Sequence, residues 1–515
     1  MNRYPLGIQT FEEIRKNNQY YVDKTDLIYN IVKGSKNNFL SRPRRFGKSL
    51  LVTTMQAYFE GKKDLFKGLA IEKMEKEWVK YPVIHIDLSS GKYYEVQRIM
   101  STLDFLLSRY ELKYDITPRD LSGFGDRFNN IIQTAAAKTG QKVVVLIDEY
   151  DAPMLDSNAK PELQEQIRSI MRDFFSPLKA NEGLLRFVFL TGITKFSQLS
   201  IFSELNNIKN YSLDDEFGAI CGFTQEEILS TFHEGIHEMA KANDLTTEQT
   251  VAKMKDLYDG YRFTPHCPNI YNPYSVLNAL HDKKFSNYWF ATGTPTFLLE
   301  LLIKNDIEMP QLEGIVATED QFDSPTDNIG NPIPVLYQSG YLTIKDYDEG
   351  IYTLGYPNEE VRMGLNRSML NYIAPQYGLK TTAFAAQFRA AMRKDDIDTA
   401  MKVLQSFLAA FPYDIHHNRE DYFQAILFTI FITLGFTIHA EVKTARGRID
   451  LLISTKTTIF VMELKIDQSA EKALEQIDAK DYTLPYKHDG RRIFKVGVNF
   501  STEKRTVDEW RYEEA

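Results

Sequence analysis

Short apolar stretches alternate with helical patterns along roughly the first 200 residues of the chain. Between these stretches, apolar residues recur at three- and four-residue spacing over 93–110 and 123–138, which predicts amphipathic helices. Strands that alternate with helices predict a parallel sheet covered on both faces, and therefore an α/β fold. The apolar stretches that are typical of buried strands are Phe39-Leu40, Pro82–Leu88, Val143–Ile147 and Arg186–Gly192.

The residues after the first of these strands suit a polyphosphate. Gly47-Lys48-Ser49 matches the end of a phosphate-binding loop, in which backbone N–H groups wrap the phosphates, the lysine contacts the outer phosphates and the hydroxyl binds magnesium. A helix that begins at Lys48 would direct its N-terminus toward the anion. The generic pattern has glycine where this chain has Arg42, so a basic turn with a chance Gly-Lys-Ser is the alternative.

The third strand ends in two neighbouring carboxylates, Asp148 and Glu149. In phosphoryl-transfer enzymes an aspartate at this place holds the magnesium shell, and a glutamate beside it polarises the attacking water. A core strand with an acidic end is common, but one that follows a Gly-Lys-Ser loop along the chain is not. The two features together predict a P-loop NTPase that uses ATP and Mg²⁺.

Three further residues are candidates for contact with the nucleotide. Arg44 and Arg45 lie in the loop, close to the phosphates that Gly47 and its neighbours would bind. Thr191 is at the end of the fourth strand, where a polar sensor would contact the γ-phosphate. A helix or turn cap explains a threonine at that place equally well.

Three motifs carry a resemblance to a known family. They are Tyr20-Tyr21-Val22-Asp23-Lys24-Thr25, Arg42-Pro43-Arg44-Arg45-Phe46-Gly47-Lys48-Ser49 and Ile147-Asp148-Glu149-Tyr150-Asp151. Together they resemble the AAA-ATPase-like family of bacterial proteins. That family carries the same degenerate loop, so the resemblance implies that Arg42 is no departure from it. It also implies a C-terminal domain of the PD-(D/E)XK nuclease superfamily.

From about residue 412 onward, the pattern predicts the element order α-β-β-β-α-β. Glu463 and Lys465 are two apart on one predicted strand and therefore share a face, while Asp450 lies on the preceding strand. Two such carboxylates can share a magnesium ion, and the lysine can stabilise a pentavalent phosphate. A salt bridge at the edge of a strand is the alternative explanation.

This order and these polar residues resemble the core of a PD-(D/E)XK nuclease. The resemblance matches the superfamily's helix glutamine to Gln476. It matches the glutamate of the first helix best to Glu420, with Glu441 as the competing candidate. Such a domain implies DNA as the partner, and DNA needs a local basic patch. Candidates for that patch are Lys487, Arg491, Arg492 and Lys495.

The chain divides into four predicted regions: an AAA-ATPase-like P-loop domain (1–220), a helical lid (221–300), a helical and winged-helix-like linker region (301–410) and a PD-(D/E)XK nuclease-like domain (411–515). Thr224 and Glu227 form a capping-box pattern that opens the lid. The aromatic run Tyr258–Phe263 predicts packed core or, alternatively, a ligand groove, and its Arg262 could reach a γ-phosphate. A predicted hairpin over 340–354 gives the linker region its winged-helix character.

The composition of the chain excludes some classes of protein and some kinds of site. A chain of 515 residues predicts several domains, and its net charge of −9 requires that any nucleic-acid surface be local. Cys221 and Cys267 lack ligand spacing, which argues against zinc and against a disulfide framework. The N-terminus has no apolar signal core, and the apolar run Ala425–Ile438 is shorter than the ~18 residues of a spanning helix. We therefore expect a cytoplasmic protein without a membrane segment.

These observations predict an ATP-hydrolysing protein whose C-terminal domain is a Mg²⁺-dependent DNA nuclease. One alternative is an ATP-driven switch whose nuclease-like domain binds without cleaving and whose partner is a protein or a second copy of the chain. Another is a nucleotide-binding scaffold that does not turn over ATP.

Overall fold

The computed structural model describes residues 3–89, 91–117, 123–157, 160–195, 208–290, 296–305, 307, 309–324, 331–373, 378–408, 437–444, 447–504 and 506–515. The chain folds into two compact units. The first unit is Met1–Thr292 with Val316–Glu359, and the second is Gly293–Ile315 with Glu360–Ala515.

A five-stranded sheet forms the centre of the first unit. Every neighbouring pair in the strand order β2-β3-β4-β1-β5 is parallel, which confirms the predicted α/β sheet. The strand β4 lies between the strand before the phosphate-loop sequence and the strand that ends in Asp148, as in P-loop NTPases. The strands are β1 (Asn37–Ser41), β2 (Val83–Asp87), β3 (Val143–Asp148), β4 (Leu185–Gly192) and β5 (Lys209–Asn210).

The helices around this sheet bury their apolar stripes against it. Ile99, Leu103 and Leu107 recur at four-residue spacing on one face of a helix and are fully buried. Phe128 and Phe174, from two other helices, stack with ring centroids 5.0 Å apart. The helices are α1 (Phe11–Lys16), α2 (Thr25–Lys33), α3 (Lys48–Phe59), α4 (Ala70–Met74), α5 (Val96–Lys113), α6 (Phe124–Thr139), α7 (Ala152–Asp156), α8 (Pro161–Phe175) and α9 (Pro177–Ala180).

A second apolar core belongs to the predicted lid. Its helices are α10 (Gln225–Thr231), α11 (His233–Ala242), α12 (Thr247–Tyr258) and α13 (Pro273–Asp282). The predicted capping box at the start of α10 is present in both directions. Tyr20 of the N-terminal segment (residues 3–35) packs on Phe232 of the lid, with ring centroids 5.2 Å apart. The N-terminal segment and the lid therefore share one core.

A small three-stranded sheet, in the order β6-β8-β7, completes the first unit. Its strands are β6 (Ile315–Thr318), β7 (Thr343–Asp348) and β8 (Ile351–Gly355), and the antiparallel pairing of β7 with β8 confirms the predicted hairpin. This part of the chain also contains α15 (Glu319–Phe322) and α16 (Ile333–Ser339), and α14 (Thr296–Lys304), which precedes it in the sequence, belongs to the second unit. The division into regions 1–220, 221–300, 301–410 and 411–515 stays a prediction.

The second unit contains a mixed sheet with the order β13-β12-β11-β10-β9. Only the β11–β12 pair is parallel, and the other pairs are antiparallel. The strands are β9 (Thr437–Thr444), β10 (Gly447–Ser454), β11 (Thr458–Ile466), β12 (Arg492–Ser501) and β13 (Thr506–Glu514), and the helices are α17 (Glu359–Ile373), α18 (Gly378–Met392), α19 (Ile397–Leu408) and α20 (Ala470–Ala479).

The predicted strand order and the second helix of this last domain agree with the structure, which supports a PD-(D/E)XK-like fold. The first helix of the predicted α-β-β-β-α-β order, which the sequence pattern gives at 419–434, lies outside the described residues. The edge strand β13 was not predicted, because its charged, mostly exposed sequence lacks an apolar pattern. Among the described residues, no helix combines the length and apolar character needed to cross a bilayer.

Candidate functional site

The loop between β1 and α3 has the backbone of a phosphate cradle. Gly47 caps α3 at a φ of 91°, in the left-handed region that favours glycine, and Arg45 has a φ of 68°. The Lys48 Nζ donates to the carbonyl oxygens of Arg42 and Pro43 at 3.0 and 3.1 Å. The lysine therefore spans the loop and is held by two neutral acceptors that an anion can replace.

Arg42 is a structural residue of the loop. Its guanidinium is buried and donates to the carbonyls of Ser41 and Ser212 at 2.9 Å and of Phe217 at 3.0 Å. It also lies 4.5 Å from the ring centroid of Phe263. Where the generic loop has glycine, this chain has a side chain that ties the loop to two other segments and does not line the phosphate cavity.

A cavity of about 490 Å³ opens beside this loop. Three stretches form most of its wall: the N-terminal segment, the loop with the start of α3, and the lid. Its charged side chains are mainly cationic, and Glu149 is the one carboxylate among its lining residues. The cations are Lys24, Arg44, Arg45 and Lys48.

Asp148 has the properties of a magnesium ligand. It is almost fully buried at the end of β3, and its Oδ1 has no hydrogen-bond partner among the described residues. Burial raises the pKa of its carboxyl group to about 6, while a hydrogen bond from Ser49 and the charge of Lys48 oppose that shift. An orphaned carboxylate oxygen next to a serine hydroxyl is a hard-oxygen donor set that fits Mg²⁺.

Glu149, the next residue, adopts a φ of 49°. A glutamate in the left-handed region is uncommon, and such strain is often found at functional sites. Its half-buried side chain lines the cavity. Asp87 lies opposite Asp148 on β2, where its Oδ1 accepts the Ser89 N–H at 2.8 Å. The carboxyl ends of β2 and β3 therefore bring three carboxylates close to the loop.

Two other polar residues at the ends of strands have structural partners. Thr191, the predicted sensor, donates its hydroxyl to the Leu40 carbonyl at 2.7 Å and does not line the cavity. The buried Asp151 carboxylate accepts the backbone N–H groups of Ile193 and Thr194 at 2.9 and 2.7 Å. It therefore joins the end of β3 to the end of β4.

The aromatic run of the lid packs against the loop. Phe46 contacts Tyr261 and Phe263, with ring centroids 4.7 and 5.2 Å apart. Arg262 does not line the cavity, and its Nη1 donates to the Lys345 carbonyl at 3.2 Å. These contacts favour packed core over a ligand groove, and they do not bring Arg262 to the nucleotide cavity.

Sequence reasoning missed two contacts that close the cavity wall. Lys24 lines the cavity and forms an ion pair with Glu227 of α10. Arg45 stacks its guanidinium over Tyr274 of α13, 4.8 Å from the ring centroid. Lys24 lies in one of the family motifs, but its partner is 203 residues away, so no local pattern identifies the pair.

In the second unit, β10 and β11 bring Asp450, Glu463 and Lys465 together, and α20 adds Gln476. Asp450 Oδ2 accepts the backbone N–H of Leu464 at 2.8 Å, which places its carboxylate against the strand that carries Glu463. Glu463 is almost fully buried, and its Oε1 accepts from Lys465 Nζ at 3.2 Å and from the Gln476 amide. Adjacent carboxylates of this kind suit a hard cation.

The choice between the two glutamates for the remaining position stays open. Glu420 lies outside the described residues. Glu441 lies on β9, between residues that pair with Leu451 and Ile449 of β10. In the described part of the chain, no group of three or more His, Cys, Asp or Glu side chains forms a metal cluster.

The predicted basic patch is electrostatically paired. Arg491 pairs with Asp489, Arg492 with Glu514 and Asp395, and Lys495 with Asp478 and Glu513. Lys495 is two residues along β12 from Gly497, which lies opposite Glu463, whereas Arg492 is five residues from Gly497. At about 3.3 Å per residue, the offset of Arg492 is roughly 16 Å along the strand. These ion pairs weaken the case for Arg491, Arg492 and Lys495 as DNA contacts, and the basic patch, which also includes Lys487, stays a prediction.

Comparisons with known proteins agree with this architecture. Residues 5–202 match the AAA-ATPase-like family, described as predicted AAA-ATPases, and residues 418–510 match the PD-(D/E)XK nuclease superfamily. An uncharacterized protein in the vnfD 5' region of Azotobacter chroococcum mcd 1 is 32% identical over 519 residues, which covers 98% of each chain.

Similar solved structures include Cdc6p from Pyrobaculum aerophilum, at 11% identity and a TM-score of 0.27, covering 69% of this chain and 93% of that one. The ORC2 protein of Aeropyrum pernix, in its ADPNP–ADP complexes, is 11% identical with a TM-score of 0.25, and the match covers 70% and 93% of the two chains. These scores are low, so the fold assignment depends on the sheet itself.

Proposed function

The chain belongs to the family of its Azotobacter relative and combines a predicted AAA-ATPase domain with a C-terminal PD-(D/E)XK nuclease superfamily domain; from this premise we propose that it binds and hydrolyses ATP. The observation that carries the proposal is the cationic cavity beside the loop, which Lys48, Ser49 and Glu149 line, together with the buried Asp148 carboxylate that is hydrogen-bonded to Ser49. Glu227 balances the charge of Lys24, so the cavity presents Arg44, Arg45 and Lys48 against the single carboxylate of Glu149. A polyphosphate supplies the negative charge that these three cations lack.

The residues of the cavity have distinct roles in this proposal. Gly47 and Lys48 bind the β- and γ-phosphates, and Lys48 exchanges its two carbonyl partners for phosphate oxygens. Ser49 and Asp148 would hold Mg²⁺, whose chemistry when bound is to neutralise charge on these phosphates. Glu149 orients the attacking water and accepts its proton. Arg44 and Arg45 add positive charge at the mouth of the cavity.

Equilibrium binding of ATP tests the first step. Lys48→Ala removes a charge-assisted contact worth roughly 1.5–3 kcal/mol, so ATP affinity should fall by about tenfold or more. Lys179→Ala is the matched control, because Lys179 is exposed and does not line the cavity. A folded Lys48→Ala protein with wild-type affinity would contradict the assignment.

For the last domain, we propose Mg²⁺-dependent cleavage of DNA. The arrangement of Asp450, Glu463 and Lys465 supports it, because two neighbouring oxygen donors and a cation serve phosphodiester hydrolysis. Asp450 and Glu463 would hold Mg²⁺, which when bound polarises the phosphodiester. Lys465 steadies negative charge on the phosphate, and Gln476 holds the Glu463 carboxylate in place.

A cleavage assay with Mg²⁺ or Mn²⁺, with and without ATP, tests this second role. Asp450→Ala and Glu463→Ala should each abolish cutting, while Glu471→Ala, which removes an exposed carboxylate of the same domain, should not. ATP turnover should change little in all three variants, since the two sites belong to separate units. Cutting by Asp450→Ala at the wild-type rate would place the nuclease site elsewhere.

A specific observation favours a second candidate function for this domain. Three of the four cations predicted to bind DNA, namely Arg491, Arg492 and Lys495, are paired with carboxylates, which weakens the case for a nucleic-acid surface there. The alternative is an ATP-driven switch whose nuclease-like domain binds a protein partner without cutting. Absence of cleavage of DNA and RNA by the wild-type protein with either metal would favour this alternative.

A further inference from the structure

One ion pair joins two of the three stretches that enclose the nucleotide cavity. The Lys24 Nζ lies 2.5 and 2.7 Å from the two carboxylate oxygens of Glu227. The side chains are 11% and 26% exposed, so the pair is largely shielded from solvent and from screening by salt. Lys24 belongs to the N-terminal segment, and Glu227 lies in the first turn of the lid helix α10.

On the lid side, Glu227 also fixes the start of α10. Its Oε2 accepts the Thr224 N–H at 2.8 Å, and its own N–H donates to the Thr224 hydroxyl at 3.3 Å. The residues just before this turn, Cys221 to Phe223, line the cavity. The position of the Glu227 carboxylate is therefore coupled to the position of that wall.

On the other side, Lys24 is held by a rigid neighbourhood. Asp23 accepts the Thr25 N–H and hydroxyl with one oxygen, at 2.9 and 2.7 Å, and the Ala70 N–H with the other at 2.7 Å. These bonds anchor the segment to the starts of α2 and α4. The ion pair therefore connects the N-terminal segment, which these hydrogen bonds hold in place, to the first turn of the lid helix α10.

We propose that the Lys24–Glu227 ion pair is a latch that holds the lid against the N-terminal segment and sets the rate at which the nucleotide dissociates. This inference rests on the proposed ATP-binding function. Lys24 acts as a residue that positions the lid. Its ammonium group is paired with both carboxylate oxygens of Glu227, so its charge is already compensated. The other explanation is that Lys24 contacts the phosphates directly, as Lys48 does.

A charge exchange separates these two explanations. In the double variant Lys24→Glu, Glu227→Lys, the latch can re-form with its charges reversed, but a direct phosphate contact is lost and becomes a repulsion. Lys24→Met removes the ammonium group and keeps the apolar stem of the side chain. Thr224→Ala is the matched control, since it removes half of the capping box and leaves the ion pair intact.

Displacement of a fluorescent ATP analogue from the full-length protein measures the dissociation rate. The latch predicts that Lys24→Met raises this rate by about tenfold, and that the charge exchange releases nucleotide at least about threefold more slowly than Glu227→Lys alone, which equally lacks the acceptor for the Thr224 N–H. Thr224→Ala should raise it less than Lys24→Met does. The association rate should change little in these variants, because the charge of the cavity mouth is kept by Arg44 and Arg45.

Two results would overturn the latch. One is a dissociation rate in folded Lys24→Met within twofold of wild type, and Lys24→Gln replaces it if the methionine variant does not fold. The other is a charge exchange that releases nucleotide as fast as Glu227→Lys alone or faster, which would make Lys24 a direct phosphate contact. Wild-type protein that binds no nucleotide would instead refute the proposed function, so the two failures are distinguishable.

Discussion

Arg42 shows how one side chain can replace the function of a glycine in a loop. The generic phosphate loop has glycine at this place, yet the Arg42 guanidinium makes three hydrogen bonds to backbone carbonyls and stacks on Phe263. Because each donor is charged and buried, the loop gains rigidity from segments far away in the sequence. A pattern search cannot detect this compensation, because the accepting carbonyls belong to residues of any type.

Arg42→Gly, which restores the generic motif, should lower the stability of the folded protein. The loss of three buried charge-assisted hydrogen bonds should lower the free energy of unfolding by at least about 3 kcal/mol. Urea denaturation of the two proteins measures the difference, with Arg44→Gly as the control at an exposed position of the same loop. Equal stability of Arg42→Gly and wild type would show that the guanidinium is not structural.

The buried Asp259 carboxyl group, in the aromatic run of the lid, should make the stability of the protein depend on pH. Burial raises the pKa of its carboxyl group to about 6, and its Oδ1 has no hydrogen-bond partner among the described residues. The folded state therefore keeps the proton up to a higher pH than the unfolded state does. Stability contributed at this position is present below about pH 4 and is lost as pH rises through 6.

Asp259→Asn removes this titration and should stabilise the protein at alkaline pH. The expected gain is up to about 3 kcal/mol at pH 8 and close to zero at pH 4, since two pKa units correspond to that energy. Melting temperatures of variant and wild type at both pH values measure it. A difference that is the same at pH 4 and pH 8 would contradict the assigned titration.

The strands of the parallel sheet could be predicted because they are continuous apolar runs that end in polar residues. The carboxyl ends of parallel strands lie at one edge of the sheet. The sequence therefore also predicted that four residues come close together there: Lys48, Ser49, Asp148 and Glu149. Other features depend on tertiary contacts. The strand β5 pairs over only two residues, too few for a hydrophobic pattern, and the direction of the Thr191 hydroxyl follows from its neighbour Leu40.

The packing of α20 on β12 depends on one glycine. Gly497 lies opposite Glu463, and a Cβ atom there would lie 2.2 Å from the Ala470 carbonyl oxygen and 3.1 Å from the Ala473 Cβ. Any side chain at this position therefore has to displace the helix that carries Gln476. The same close approach brings the Gln476 amide to the Glu463 carboxylate.

Gly497→Ala should therefore disturb the candidate metal site as well as the fold. We expect a loss of 1–3 kcal/mol in the free energy of unfolding, about the usual range for overpacking, and weaker Mn²⁺ binding. Calorimetry and a Mn²⁺ titration measure the two effects. Gly183→Ala is the control, because a Cβ atom there meets nothing within 4 Å. Unchanged stability and Mn²⁺ affinity would show that α20 is not held in this way.

The distribution of charge over the molecule limits which of its surfaces can bind DNA. The chain has a net charge of −9, and three of the four cations of the predicted basic patch, Arg491, Arg492 and Lys495, are paired with carboxylates. Paired cations release few counterions, so they contribute little to the salt dependence of binding. Any DNA contact must therefore use cations other than these.

Binding of DNA at several salt concentrations tests this expectation. Arg491→Ala and Arg492→Ala should leave the slope of log K against log salt, taken as its absolute value, unchanged, whereas removal of a phosphate-contacting cation lowers that value by about 1. Asp489→Ala, which removes the carboxylate partner of Arg491, should increase the slope. A slope that falls by about 1 in either arginine variant would restore the patch as the DNA surface.

The central claim is that the first unit is an ATPase with Glu149 as its base, and steady-state ATP turnover in Mg²⁺ tests it most directly. Glu149→Gln keeps the shape of the side chain and removes the proton acceptor. The account predicts turnover by wild type, a fall of about a hundredfold or more in Glu149→Gln, and ATP affinity within about threefold of wild type. Wild-type protein without turnover, or a Glu149→Gln protein that turns over ATP at the wild-type rate, would contradict it.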